Sequence, residues 1–397
     1  MEGPNRGGKL LIMHKYVCKS CLNYDTIWNE LKSSTEISSE EICTYCEEVK
    51  LELIHFEELA EYIFKVIEMR WKKAVQHLGW NGREGGYQGK TCNTYEILYD
   101  NLDLDNIKLW ENLSRQVCNL ADGETWCAES EVDITEFQIN THSWSNFCSI
   151  SKFKSRFFLA DKVVFRADDF YPQGWDMSIQ DFLSKLFCLI SNYGLLEKIP
   201  SRTLLYRARK FSCNDSFTNL ESSEFGPPPQ DKSLQSNRMN PPGIPVMYAS
   251  ETQETAFKEV LPSEDEGHLV KVAHFEVLKD LQIINLDTNN IKPKIPDYWS
   301  SVANDEIEGI SFLHDFATEI TKPINRDDKQ TIEYIPTQVI TEFFRDASSN
   351  GVKIDGIKYS SSFKNASNNL VLFIDNSQIL YPNEIKANQI LKFNGLV

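Results

Sequence analysis

The chain of 397 residues has no long uninterrupted apolar run. Stretches such as FLSKLFCLI (Phe182–Ile190) are broken by Lys or Asp. They fall well short of the about 20 residues that a membrane-spanning helix needs. The start, MEGPNRGGKLLIMHKY, lacks the apolar core and small-residue cleavage site of a secretory signal, so a cytoplasmic location is expected. Histidine is scarce, seven in all, and none stands in an HExxH pair, which argues against a zinc hydrolase. The loop NGREGGYQGKT (Asn81–Thr91) carries Glu84 where a phosphate-binding loop needs glycine, and no strand precedes it. Positive charge is in the minority. With 41 Lys and Arg against 58 Asp and Glu the net charge is −17, which argues against broad binding to nucleic-acid backbone. No internal repeat and no low-complexity tract is present.

What is there describes a folded protein. Hydrophobic residues make up 41% and aromatics 12%, and the length suggests two or three domains. Of ten cysteines, four form the doubled pattern CKSC (Cys18, Cys21) and CTYC (Cys43, Cys46). Two such turns each present two sulfurs to one ion, so a structural Zn2+ held by four thiolates is expected, with no position left for water. The remaining cysteines are scattered and read as small buried apolar residues.

The order of parts suggests a zinc-ribbon-like module over 14–48 and a mainly helical domain over 51–170. A connecting helix over 171–198 and a mixed α+β domain over 199–397 complete the chain. In LELIHFEELAEYIFKVIEMRWKKAVQHLGW, from Leu51, apolar residues recur at threes and fours, which predicts one long amphipathic helix. Glu96–Val117 and Asp176–Leu196 are also helical in pattern. From about Ile199 short alternating runs bounded by Pro, Gly, Asn and Asp predict separate strands, among them Thr203–Arg207, Pro245–Ala249 and Gly356–Tyr359. Helices are expected at Thr252–Val260, capped by Ser250, and at Pro336–Ser348.

Three blocks in this last part carry chemistry: LLYRARK (Leu204–Lys210), NRMNPPGIPVMYASETQETAFKEV (Asn237–Val260) and DGIKYSSS (Asp355–Ser362). Arg207 and Arg238 can hold phosphate in a fork, Tyr248 can lie on a base or nicotinamide ring, and Glu259 can act at a ribose. Taken singly, each has a plainer explanation. Arg207 is then a strand residue on the wet face, Arg238 a solvated loop residue, Glu259 an exposed helical carboxylate, and the serines turn formers.

In combination and order these blocks resemble the RES domain, over roughly Ile199 to Leu380. That family is similar to ADP-ribosyltransferase toxins that consume NAD. The resemblance implies a split β-sheet core of ADP-ribosyltransferase type with NAD+ as substrate in its cleft. It makes Arg207 the first family arginine, Arg238 the second basic contact, Tyr248 the stacking aromatic and Glu259 the catalytic acid. The family serine matches Ser361 best, with Ser360 as the neighbouring candidate. EYIPTQVITEFFRD (Glu333–Asp346) resembles the family's Tyr-x-x-Thr-Gln helix entry. The cysteine ribbon and helical region resemble proteins with a HEPN/RES N-terminal domain, over about 14–165. HEPN ribonucleases use an Arg and a His a few residues apart on a helix, a spacing that Arg70 and His77 fit.

The expectation is therefore an NAD-consuming toxin or anti-phage defence effector with Glu259, Arg207 and Ser361 as its catalytic set. Arg207, Arg238, Tyr248, Ser361 and Ser360 would bind the nucleotide. An antitoxin or regulatory protein is the expected partner class and a homo-oligomer a further option, with no membrane and no nucleic acid. A non-catalytic zinc-ribbon interaction protein and a HEPN-type ribonuclease are the competing readings.

Overall fold

A computed structural model describes residues 15–32, 41–131, 133–167, 175–212, 221–260, 268–322, 330–349, 351–361, 363 and 367–397. Their contacts fall into two units, one of 1–135 with 296–307, the other of 136–295 with 308–397. The contacts thus group 136–198 with the C-terminal part of the chain.

In the first unit Tyr16–Cys18 (β1) pairs antiparallel with Leu53–His55 (β2), which leads directly into helix Phe56–Arg70 (α1). Leu59, Ile63, Val66 and Ile67 bury the stripe that their spacing predicts. The helix does not continue to Trp80. At Trp71 the chain turns extended, and Trp71–Lys73 (β3) precedes a short helix, Ala74–His77 (α2). With Thr91–Asn93 (β4) and Thr125–Ala128 (β5) it forms a three-stranded sheet in the order β3-β5-β4. Pairing with β5 explains the break: Lys72 and Lys73 lie opposite Cys127 and Trp126 and reach Glu129 and Glu124 at 3.1 Å each. Tertiary pairing here overrides a helical spacing. Glu96–Val117 likewise divides into Thr94–Asn101 (α3) and Ile107–Leu120 (α4), because Asn106 caps a fresh helix by accepting from Leu109 N–H.

The segment 296–307 is clasped by Arg70 at the end of α1. Its guanidinium donates to the carbonyls of Tyr298 (3.1 Å), Ser300 (3.0 Å) and Val302 (2.9 Å) and to Asn304 Oδ1 (2.8 Å). Trp299, fully buried, donates its indole N–H to the Asn101 carbonyl at 2.7 Å. Arg70→Ala should strand these carbonyls and lower stability by about 3 kcal/mol, read as an earlier urea midpoint. An unchanged midpoint would reduce the clasp to a surface contact.

The second unit holds helices Glu136–Phe153 (α5) and Ile179–Asn192 (α6) ahead of a nine-stranded sheet. Its strands in chain order are Leu196–Ile199 (β6), Leu204–Ser212 (β7), Met247–Ser250 (β8), His268–Val277 (β9) and Leu281–Leu286 (β10). Gly356–Tyr359 (β11), Asn369–Leu372 (β12), Ile379–Leu380 (β13) and Leu391–Leu396 (β14) follow. The spatial order is β6-β10-β11-β12-β8-β7-β9-β14-β13, parallel only between β10 and β11 and between β13 and β14. Helix Gln253–Val260 (α7) follows β8, and Asn304–Thr321 (α8) and Ile335–Asp346 (α9) precede β11. Leu205, Met247, Ala249, Phe275, Leu370 and Leu372 build a buried core on one face of the sheet.

One joint in the sheet is narrow. β7 runs beside β9 through nine registered pairs, but meets β8 through the single pair Tyr206↔Ser250. The sheet is therefore two ladders joined at one residue pair. Among the described residues no helix is long and apolar enough to cross a membrane.

Candidate functional site

The two cysteine turns of the first unit stand side by side. Thr44 fastens one to the other: its N–H donates to Tyr16 C=O at 2.9 Å, and its hydroxyl accepts from Tyr16 N–H at 2.9 Å. This brings the sulfurs of Cys18, Cys21, Cys43 and Cys46 within 4.8 Å of one another, with the first three residues buried. Cys18 and Cys46 Sγ are 3.7 Å apart, and Cys21 and Cys43 Sγ 3.8 Å. Those separations are too long for disulfides. A tetrahedral zinc with bonds of about 2.3 Å would set its sulfurs about 3.8 Å apart, so the donor set fits the ion. Asn106 Nδ2 approaches Cys21 Sγ at 3.7 Å, and Ser20 Oγ lies 3.1 Å from Cys18 Sγ. Such polar neighbours suit thiolates.

The second cluster lies around the joint between the ladders. Arg207 shares its face of β7 with the core residues Leu205 and Phe211, so it faces inward and is half-buried, not on a wet face. Its Nη1 reaches Met247 Sδ and the Tyr248 carbonyl, each at 3.3 Å, bonding across to β8 beyond the last registered pair. Among the described residues no carboxylate pairs with it. Burial, and secondarily the charge of Arg209, pushes its guanidinium down to about 10. Arg209 instead donates to the Glu224 carbonyl and stands over the Phe211 ring.

Arg238 sits in a loop that three elements hold. Tyr248 Oη accepts from Met239 N–H at 3.1 Å and donates to Asn240 Oδ1 at 2.9 Å. From α9, Gln338 donates to the carbonyls of Asn237 (2.7 Å) and Asn240 (3.2 Å), and Thr337 to that of Arg238. Arg238 Nη1 caps the end of α8 through the carbonyls of Ile320 (2.6 Å) and Lys322 (2.9 Å). Its guanidinium lies 5.4 Å from the Tyr334 ring centroid. Tyr334, Thr337 and Gln338 are the Tyr, Thr and Gln of the α9 entry motif.

Glu259 comes from the last turn of α7. Thr255 and Ala256, one turn earlier, are buried, so the helical period carries Glu259 to the sheet side. Phe257 lies outside this stripe and is 41% exposed. The helix is capped by Thr252, whose hydroxyl accepts from Thr255 N–H, not by Ser250, which ends β8. Ser361 donates to Glu259 Oε1 at 2.8 Å, and the Asn369 amide donates to the same oxygen. Ser360 points elsewhere. Its hydroxyl donates to Asp287 at 2.9 Å and accepts from Thr288 N–H at 3.1 Å. Ser362 lies outside the described residues.

Tyr359 ties these parts together. Burial raises its phenol pKa, and the neighbouring Tyr248 and Glu259 add to the rise while Arg238 opposes it. Burial likewise raises that of Tyr248, against the Met239 N–H and the charges of Arg207 and Arg238. Arg207, Arg238, Tyr248, Tyr359, Glu259 and Ser361 thus form one electrostatic neighbourhood within the second unit. Residues 204–388 match the family model of the RES domain.

The chain carries a RES domain.

Residues 36–163 match HEPN/RES N-terminal domain 1. No curated protein and no solved structure matches the chain. The RES match takes in every strand from β7 to β13 and the whole Arg207–Ser361 cluster. RES domains are associated with NAD-related toxin function. In the N-terminal region Arg70 and His77 do not share a helix: Arg70 ends α1, His77 ends α2, and β3 separates them. Arg70 is engaged in its clasp, and His77 is exposed. Four RES-domain residues of the cluster go unmarked by the sequence blocks in any site role: Asn369, Tyr359, Tyr334 and, as a polar link, Ser250. The NN pair at Asn368–Asn369, polar residues opening an apolar strand, is the one local signal for the first of them.

Proposed function

We propose that the RES domain binds NAD+ around the joint of its sheet and cleaves the nicotinamide–ribose bond. The observation that carries this reading is the Glu259 carboxylate, fixed by two neutral donors on Oε1 with Oε2 unengaged among the described residues. Cleavage breaks the C1′–N bond, and its electron pair leaves with nicotinamide. Positive charge then grows on the ribose as an oxocarbenium-like centre. A carboxylate bonded through Oε2 to the ribose 2′-hydroxyl stabilises that charge as it develops. Arg207, inward-facing, and Arg238 would hold the pyrophosphate; among the described residues no carboxylate pairs with Arg207, and Arg238 is engaged through Nη1 alone. Tyr248, its hydroxyl fastened to the Arg238 loop, offers a fixed ring for stacking. Ser361 would share its hydroxyl between Glu259 and the nicotinamide ribose. The single-pair joint between β7 and β8 also supports an ADP-ribosyltransferase-like split sheet.

Zinc, held by Cys18, Cys21, Cys43 and Cys46, would supply cross-linking of the N-terminal turns and no reaction chemistry. An enzyme that depletes NAD+ endangers its own cell, so a neutralising or regulatory protein is the expected partner and a toxin or defence role the expected setting.

Incubation with NAD+ followed by chromatography tests the reading. Nicotinamide should appear with ADP-ribose if water accepts, with the 1″-phosphate in phosphate buffer, or with modified protein. Intact NAD+ under all three conditions would overturn it. Arg207→Ala should raise KM for NAD+ about 10–100-fold, because a charge-assisted contact of about 1.5–3 kcal/mol is lost.

A further inference from the structure

We propose that Asn369 is the positioning residue that sets the attitude of the Glu259 carboxylate, with Ser250 as its anchor. This rests on the NAD-cleaving role of Glu259 proposed above. Asn369 opens β12 and is 5% exposed. Its main chain is registered with Ser250 of β8 on one side and with Tyr359 of β11 on the other. It therefore stands in the most constrained part of the cluster, between the strand of the stacking tyrosine and the strand that leads to Ser361.

The side chain has one consistent arrangement. A carboxylate only accepts, so the amide NH2 must face Glu259 Oε1. The amide oxygen then faces Ser250, whose hydroxyl donates to it at 2.7 Å. Ser250, freed from capping α7, is buried and available for this bond. The result is a chain Ser250–Asn369–Glu259, closed by Ser361 on the same carboxylate oxygen. Glu259 comes from a helix, and its side chain has several rotatable bonds. Two donors converging on Oε1 remove that freedom and turn Oε2 toward the ribose. Ser361 lies past the end of β11, whereas Asn369 is paired within the sheet on both sides, so the strand residue supplies the fixed point.

The test measures kcat and KM for nicotinamide release, with the melting temperature, in Asn369→Ala, Asn369→Asp and Ser250→Ala. Asn369→Ala should lower kcat about 10²-fold with KM within about threefold, since a displacement near 1 Å at a reacting group costs that much. Asn369→Asp keeps the shape but sets a second carboxylate against Glu259, and should lower kcat at least as far. Ser250→Ala leaves the amide free to turn and should cost less, about 3–10-fold. A purely structural Asn369 predicts the reverse order: the isosteric Asp milder than Ala, and activity falling in step with melting temperature. That order, or a parental kcat in Asn369→Ala beside an active parent, overturns this proposal alone. A parent protein that releases no nicotinamide overturns it together with the reading beneath it.

Discussion

Replacing Glu259 by Gln should lower nicotinamide release on the order of 10²–10³-fold, with NAD+ affinity little changed. The substitution keeps size and a carbonyl oxygen, so Ser361 and Asn369 still have an acceptor where Oε1 stood. What it removes is charge. In the bound ground state the ribose is neutral and the cation is on the nicotinamide ring. As the C1′–N bond stretches, positive charge moves onto the sugar, and only then does an adjacent carboxylate gain over an amide. An interaction made mainly in the transition state appears in kcat rather than in KM. Arg207→Ala should show the opposite pattern, because pyrophosphate is equally charged before and during reaction. The pair of variants therefore separates the two halves of the site. Calorimetric binding of NAD+ beside single-turnover release distinguishes them, and a Glu259→Gln protein that turns over NAD+ at the parental rate would remove the carboxylate from the mechanism.

How far the sequence foretells this site depends on whether the signal is local. Arg207 and Glu259 are marked by alternation and by a helix leaving a strand, and β11 lies over Gly356–Tyr359 as its pattern predicts. β8 lies close to its expected position after the NPPG turn, whereas β7 starts near its expected place but runs on to Ser212 because its whole length pairs with β9. The choice between Ser360 and Ser361 is not local. Past the end of β11 one turns toward Asp287 and the other toward Glu259, and nothing in SSS reveals which holds which partner. Asn369 is hidden for the same reason, since its side-chain partners Ser250 and Glu259 stand 119 and 110 residues earlier in the chain. Ser250 shows the converse. A serine three places before a glutamine looks like a capping box, yet a long-range bond to Asn369 outcompetes the local one. In the first unit the spacing through Trp80 is helical, and the strand at Trp71–Lys73 follows from β5, which lies far along the chain. The α8 helix and β14 stand outside the predicted elements, although Ile310, Leu313 and Phe316 repeat at helical intervals and are buried.

Zinc removal should have the other large effect, on stability rather than on rate. Purified protein is expected to hold about one zinc per chain, and Cys18→Ser or a strong chelator should remove it. The four sulfurs lie within 4.8 Å, and Cys18, Cys21 and Cys43 are buried beside Leu22, Ile27 and Trp28 in the first unit's core. Without the ion these positions hold either crowded thiolates that repel one another or neutral thiols that pull little together. β1 is three residues long, and Thr44 ties one turn to the other by two bonds. Because the metal binds the folded arrangement and the unfolded chain offers no such site, its binding energy appears as folding energy. A loss of several kcal/mol is expected, smaller than the full binding energy because α1 and its apolar stripe retain a core of their own. Cys188→Ser serves as the control, since that cysteine is exposed and outside the cluster. Metal content by atomic spectroscopy and the urea midpoint should fall together in Cys18→Ser and stay parental in Cys188→Ser. Purified chain that contains no zinc, with a midpoint indifferent to both chelator and Cys18→Ser, would show that the four thiols close the ribbon by packing alone.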